Sequence, residues 1–91
     1  MDLDTFKNRI ITNVYHMDAE REVPMHNHPK YDEVFYCIKG EGLGVLEDVE
    51  VQLEPGKVFI VPAGVLHTVK THSDLFVCSF QIPPAEDQPD E

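Results

Sequence analysis

The chain has 91 residues, 42% of them apolar, with seventeen Asp and Glu against seven Lys and Arg and a formal net charge of −10. That length allows one domain with a small core, since a chain of this size buries only about 60–70% of its unfolded surface. The acidic field repels phosphate backbones, which argues against a nucleic-acid partner, and the absence of any apolar run of about 18 residues argues against a membrane-spanning helix.

In chain order, Met1-Asp2-Leu3-Asp4-Thr5-Phe6-Lys7 carries acids where a signal peptide needs bases, and no apolar h-region follows it. A cytoplasmic location is therefore expected. Asp4 to Asn8 has room for one helical turn at most. Beyond it, turn signals recur at short intervals: Lys39-Gly40-Glu41-Gly42, Glu47-Asp48, Glu54-Pro55-Gly56, Pro62-Ala63-Gly64 and His72-Ser73-Asp74. Segments rich in Val, Ile, Phe and Tyr lie between them: Arg9 to Tyr15, Glu33 to Lys39, Leu43 to Leu46, Val49 to Leu53, Val58 to Val61, His67 to Thr71 and Leu75 to Ile82. Val23 to His28 is a further strand candidate, with Pro24 suiting an edge or a strand start. No segment shows a 3.6-residue period. Many short strands at such spacing predict an all-β sandwich or barrel. The domain is expected to occupy residues 1–83. The last stretch, from Pro83, holds four acids, three prolines and no large apolar residue, so residues 84–91 read as an acidic, disordered tail.

Alternation assigns faces. In Leu75 to Ile82, the set Phe76, Cys78, Phe80 and Ile82 is the more apolar and is expected to face the core, with Leu75, Val77, Ser79 and Gln81 opposite. In Glu33 to Lys39, Glu33, Phe35 and Cys37 share one face and Val34, Tyr36 and Ile38 the other. Both faces are apolar, so this strand is expected to be covered on both sides, the second time by another subunit. Cys37 and Cys78 read as buried free thiols.

Five histidines are present. Two of them, His26 and His28, alternate, so on an extended strand their imidazoles project together. Pro29 to Asp32 suits a turn, after which Glu33 opens a strand expected to lie antiparallel beside the first. His67 opens a later strand just after the Pro62-Ala63-Gly64 turn. Three imidazoles and a carboxylate brought together in this way would suit a transition metal. His16, at a strand end, and His72, in a polar turn, look ordinary.

These residues resemble the cupin family. Its first motif is Gly-x5-His-x-His-x3–4-Glu-x6-Gly, matched here by His26-x-His28-x4-Glu33-x6-Gly40. Its second is Gly-x5-Pro-x-Gly-x2-His-x3-Asn, matched by Gly56-x5-Pro62-x-Gly64-x2-His67. Fifteen residues separate Gly40 from Gly56. The chain departs from the pattern at Glu20, where the first motif opens on glycine, and at Thr71, where the second closes on asparagine.

The resemblance implies a double-stranded β-helix, or jelly-roll barrel, with an internal cavity for a small-molecule ligand, and often a homodimer. It implies one divalent transition metal (Fe, Mn, Ni, Co, Cu or Zn) held by His26, His28, Glu33 and His67. The candidate cavity wall is Phe35, Cys37, Phe76, Cys78 and Phe80. Gly40, Gly56 and Gly64 read as turn glycines. The family's functions span dioxygenases, decarboxylases, isomerases, sensors and non-enzymatic proteins, and a fold does not choose among them. The complete ligand set suggests an oxygenase-type metalloenzyme; the minimal length suggests a binding or sensing module.

Overall fold

The structure is a computed structural model that describes residues 10–83. The expected helical turn at Asp4 to Asn8 and the acidic tail at 84–91 lie outside the described residues. Seven strands and no helix are found among those described. They are β1 (Ile11–Asp18), β2 (Asp32–Gly40), β3 (Gly42–Leu46), β4 (Glu50–Leu53), β5 (Val58–Val61), β6 (His67–Lys70) and β7 (Asp74–Ile82). They form two antiparallel sheets, one in the order β1-β7-β2-β5 and one in the order β4-β3-β6.

The core lies between the sheets. Leu53, Leu75, Val77, Val61, Phe59 and Cys37 are all but fully buried there, and each large apolar side chain so buried contributes about 1.5–3 kcal/mol. The sheets approach closely where β3 crosses β5. A Cβ at Gly44 would lie 2.4 Å from the Phe59 ring, so only glycine fits at that crossing. Gly40, Gly56 and Gly64 all have positive φ, and no other residue type does among those described, as their turn positions predict.

Three expectations are corrected. The interior face of β7 is Leu75, Val77 and Ser79, all buried, rather than Phe76, Cys78 and Phe80, which point to the outside of the sheet and are half-exposed. Both alternate sets are apolar enough to face a core, and the pairing of β7 between β1 and β2 decides the matter. Val23 to His28 does not form a strand beside β2. Only His26 pairs, in a single bridge to His67, because β2 is already flanked by β7 and β5. His16 lies inside β1, which runs on to Asp18. Its ring stacks on Phe76 with centroids 4.2 Å apart and pairs with Asp74 at 2.9 Å.

The two motif departures have local explanations. At Glu20, the turn after β1 is closed by the Asp18 carboxylate, which accepts the Glu20 and Arg21 N–H groups at 3.1 Å, so no left-handed residue is needed. At Thr71, the buried hydroxyl donates to the Glu41 carbonyl at 2.6 Å and accepts the Ser73 N–H at 3.0 Å, tying the β6–β7 turn from both sides.

Candidate metal centre

The two motif segments are joined through their backbones. The Gly64 N–H donates to the His28 carbonyl at 3.1 Å, and Asp32 Oδ1 accepts the Ala63 N–H at 2.8 Å. Asp32 is thereby turned away from the histidines and holds the Pro62–Gly64 turn in place. Gly64, at φ +83°, lets that turn reverse before His67.

One end of the space between the sheets receives the four side chains. His26, His28 and His67 come from the β6 side, and Glu33 reaches them from β2 in the facing sheet. One donor atom from each of the four residues lies within 4.8 Å of every other. Glu33 Oε1 is 3.0 Å from His67 Nε2 and 3.1 Å from His28 Nε2. Donors about 2.1 Å from a common ion, at right angles, stand about 3.0 Å apart, so these separations suit cis ligands. Two rings are also held from behind: His26 Nδ1 lies 3.0 Å from the Pro24 carbonyl and His67 Nδ1 lies 2.9 Å from the Val65 carbonyl. A carbonyl only accepts, so each Nδ1 carries the proton and Nε2 is turned to the cluster.

Glu33 and His67 are 3% and 1% exposed, and a buried charge needs partners. Burial pushes the Glu33 carboxyl up. The hydrogen bonds from His67 and Ser79 and the charges on His28 and His67 outweigh it and hold the group below the usual carboxylate range. Burial likewise pulls His67 down, but its bonds to Glu33 and to the Val65 carbonyl raise it overall. Ser79 Oγ donates to Glu33 Oε2 at 2.5 Å. Oε2 is thus occupied and Oε1 is left aimed at the histidines.

The cluster opens onto a cavity of about 250 Å³ whose lining includes Tyr15, Arg21, Phe35, Val77 and Gln81 beside His26, His28 and Glu33. Of the candidate wall residues, Phe35 is placed there. Cys37 is buried deeper in the core, where burial pushes its thiol up. Phe76, Cys78 and Phe80 are on the outer face of β7 and do not line the cavity. Both thiols are free. Alternation counted from the wrong face of β7 hid Ser79 and Gln81. The sequence signal for Ser79 is a lone hydroxyl in the stripe Leu75, Val77, Ser79. Arg21 left no signal beyond being a cation in an acidic chain.

A small two-sheet jelly roll with three imidazoles and a buried carboxylate at its open end defines a protein class by structure alone. Family comparison agrees: the cupin-domain family model matches residues 13–81, and the chain belongs to that family. The germin-like protein subfamily 3 member 4 of Arabidopsis thaliana is 33% identical over an alignment of 67 residues that covers 66% of this chain and 32% of the relative. The chain thus spans about a third of that relative's length. Solved structures share the fold. A Thermus thermophilus protein superposes with a TM-score of 0.74 at 25% identity, over 81% of this chain and 72% of the other. The DMSP lyase DddQ of Ruegeria pomeroyi gives 0.75 at 24% identity, over 89% and 42%. A predicted oxalate decarboxylase of Thermotoga maritima gives 0.77 at 20% identity, over 92% and 76%. No helix among the described residues is long and apolar enough to cross a membrane.

Proposed function

We propose that this cupin holds one divalent transition metal through His26, His28, Glu33 and His67 and works as an oxygenase-type metalloenzyme on a small molecule in the cavity. The convergence of four donor atoms within 4.8 Å of one another supports the reading most strongly. Three imidazoles and one carboxylate leave about two positions free on a six-coordinate ion. When bound, such an ion supplies Lewis acidity and a site for a chelating substrate or dioxygen. The chain's own part is orientation and exclusion of water. Ser79 fixes Glu33, backbone carbonyls fix two imidazoles, and Phe35, Val69 and Val77 keep the inner wall apolar. Metal analysis after reconstitution should find close to one first-row ion per chain; well under about a tenth of an equivalent would sink the assignment. Oxygen uptake by the Fe(II) form, screened against catechols, flavonols and diketones, tests the reaction class.

A second reading, a binding or sensing module without turnover, is favoured by one observation. Apart from the cluster itself, no Asp, Glu, His, Lys or Cys among the described residues lines the cavity, which leaves the Tyr15 phenol as the one candidate general acid or base there. Ligand-induced stabilisation with no product would select this reading.

We further propose a homodimer formed through the outside of the four-stranded sheet. Its two central rows, Thr12-Phe80-Val34-Ile60 and Val14-Cys78-Tyr36-Val58 in ladder register, contain no charged residue. Val14 and Ile60 are 67% and 62% exposed. On a chain of net charge −10, an uncharged apolar band lets two copies meet without like-charge repulsion.

A further inference from the structure

We infer that the cavity takes a small organic acid, whose anionic group pairs with Arg21 while its other end reaches the His26–His28–Glu33–His67 cluster. The inference rests on the metal-binding reading and names the ligand class for that same site.

Size comes first. A cavity of about 250 Å³ has the space of roughly eight waters at about 30 Å³ each. It therefore suits a ligand of one ring or a short chain. Its walls differ in kind. Met17, Val23, Phe35, Val69 and Val77 give an apolar middle, the cluster gives a polar end, and Arg21 is the only Lys or Arg on the lining among the described residues. A ligand that satisfies all three has a metal-binding group, an apolar body and an anionic group.

Arg21 is also held for this task. Asp18 fixes the loop that carries it by accepting the Glu20 and Arg21 N–H groups. The guanidinium then donates one bond to the His16 carbonyl at 3.2 Å. One of its five donors is used there. Glu20 and Glu22 flank it in sequence, yet Arg21 makes no ion pair with any carboxylate among the described residues. A guanidinium held through one terminal nitrogen, Nη1, with its other donors to spare, binds a carboxylate at less entropic loss than a free one. Charge points the same way. A divalent ion beside Glu33 has one net positive charge, and Arg21 adds another to the same cavity, in a chain that is strongly acidic elsewhere.

The test compares two ligands with the same chelating end. Catechol and protocatechuate differ only by a carboxylate. Both are titrated calorimetrically, without oxygen, into Co(II)-loaded wild-type protein and into Arg21→Gln and Arg21→Lys, with metal content measured in each sample. Wild type should bind protocatechuate about tenfold more tightly than catechol, the scale of one charge-assisted hydrogen bond. Arg21→Gln should lose that preference while its catechol affinity is unchanged, and Arg21→Lys should keep part of it. Wild-type protein carrying full metal that binds the two alike, or binds neither, overturns the inference and leaves the metal site standing. A preference that survives Arg21→Gln overturns it as well. A chain that takes up no metal refutes the metal reading, and the inference falls with it.

Discussion

His26 and His67 exchange both backbone hydrogen bonds, with the His26 N–H donating to the His67 carbonyl at 2.9 Å and the His67 N–H to the His26 carbonyl at 2.8 Å. Their rings sit 4.4 Å apart, on the same side of that bridge. The main chain sets the spacing of two of the four donors, so the cluster is preorganised by pairing across the end of a sheet. Loss of one imidazole leaves the other in place, and metal binding can be separated from folding.

His28→Ala and His67→Ala should therefore behave differently in the metal-free protein. Both should lose the metal. His28 is half-buried at the cavity and its removal leaves Glu33 with His67 and Ser79, so its loss should cost on the order of 1 kcal/mol. His67 is 1% exposed and hydrogen-bonded to buried Glu33. Its removal takes a partner from a buried carboxylate, at a cost on the order of 3 kcal/mol. Urea unfolding of the two metal-free variants checks this, and equal midpoints would contradict it.

Ser79→Ala should weaken metal binding without abolishing it. The hydroxyl occupies Glu33 Oε2, and no other side chain among the described residues bonds that oxygen. Without it Glu33 is free to turn, and the orienting partner of a ligand is typically worth about 10–100-fold in metal affinity. The visible spectrum of the Co(II) form should shift with the altered carboxylate. An unchanged spectrum and unchanged affinity would assign Ser79 a packing role only.

The cluster was legible in the sequence because three of its members lie within eight residues and His67 is tied to them by the spacing of the second cupin-like motif. His26 and His28 alternate, Glu33 follows after one turn, and Gly64 and Pro62 announce the reversal before His67. The three turn glycines were legible too, since each needs a positive φ. Non-local choices were not. Phe76, Cys78 and Phe80 outrank Leu75, Val77 and Ser79 in apolar bulk, yet the second set faces inward, because the register of β7 on β2 sets Ser79 opposite Phe35 and Val77 opposite Cys37 on the face that carries Glu33. The partner of His26 was equally hidden: local pattern marks an extended segment, but β6, some forty residues on, supplies the pairing.

Acidity should act in opposite senses on the metal-free and metal-loaded forms. Glu33 is held below its ordinary 4.5, so its contribution is complete above that value and is lost as pH falls through the lower folded one. His67 is raised above 6.5, so its contribution is complete below 6.5 and is lost as pH rises through the higher folded one. Metal competes with the His67 Nε2 proton, and binding strengthens as that proton leaves. As pH rises from 6.5 through the higher folded value of His67, the melting temperature of the metal-free protein should fall while the increment added by metal grows. Parallel curves for the two forms would show that His67 and the metal do not compete.

The outer sheet face gives the last prediction. If two copies cover the rows centred on Cys78 and Phe80, a charge at Ile60 or Val14 should separate them. Both positions are more than half exposed in the single chain, so Ile60→Lys should cost the isolated fold little, within about 0.5 kcal/mol. A buried lysine without a partner is costly at an interface. Sedimentation should show wild type as a dimer and Ile60→Lys as a monomer at the same concentration. Cys78 supplies a second readout, since it sits in the middle of a row and is half-exposed in the single chain. Its alkylation should be slow in wild type and faster in Ile60→Lys, while Cys37, buried with its thiol pushed up, stays unreactive in both. A wild-type chain that sediments as a monomer across the micromolar range would remove the dimer, and the metal centre would be unaffected, because all four of its donors come from one chain.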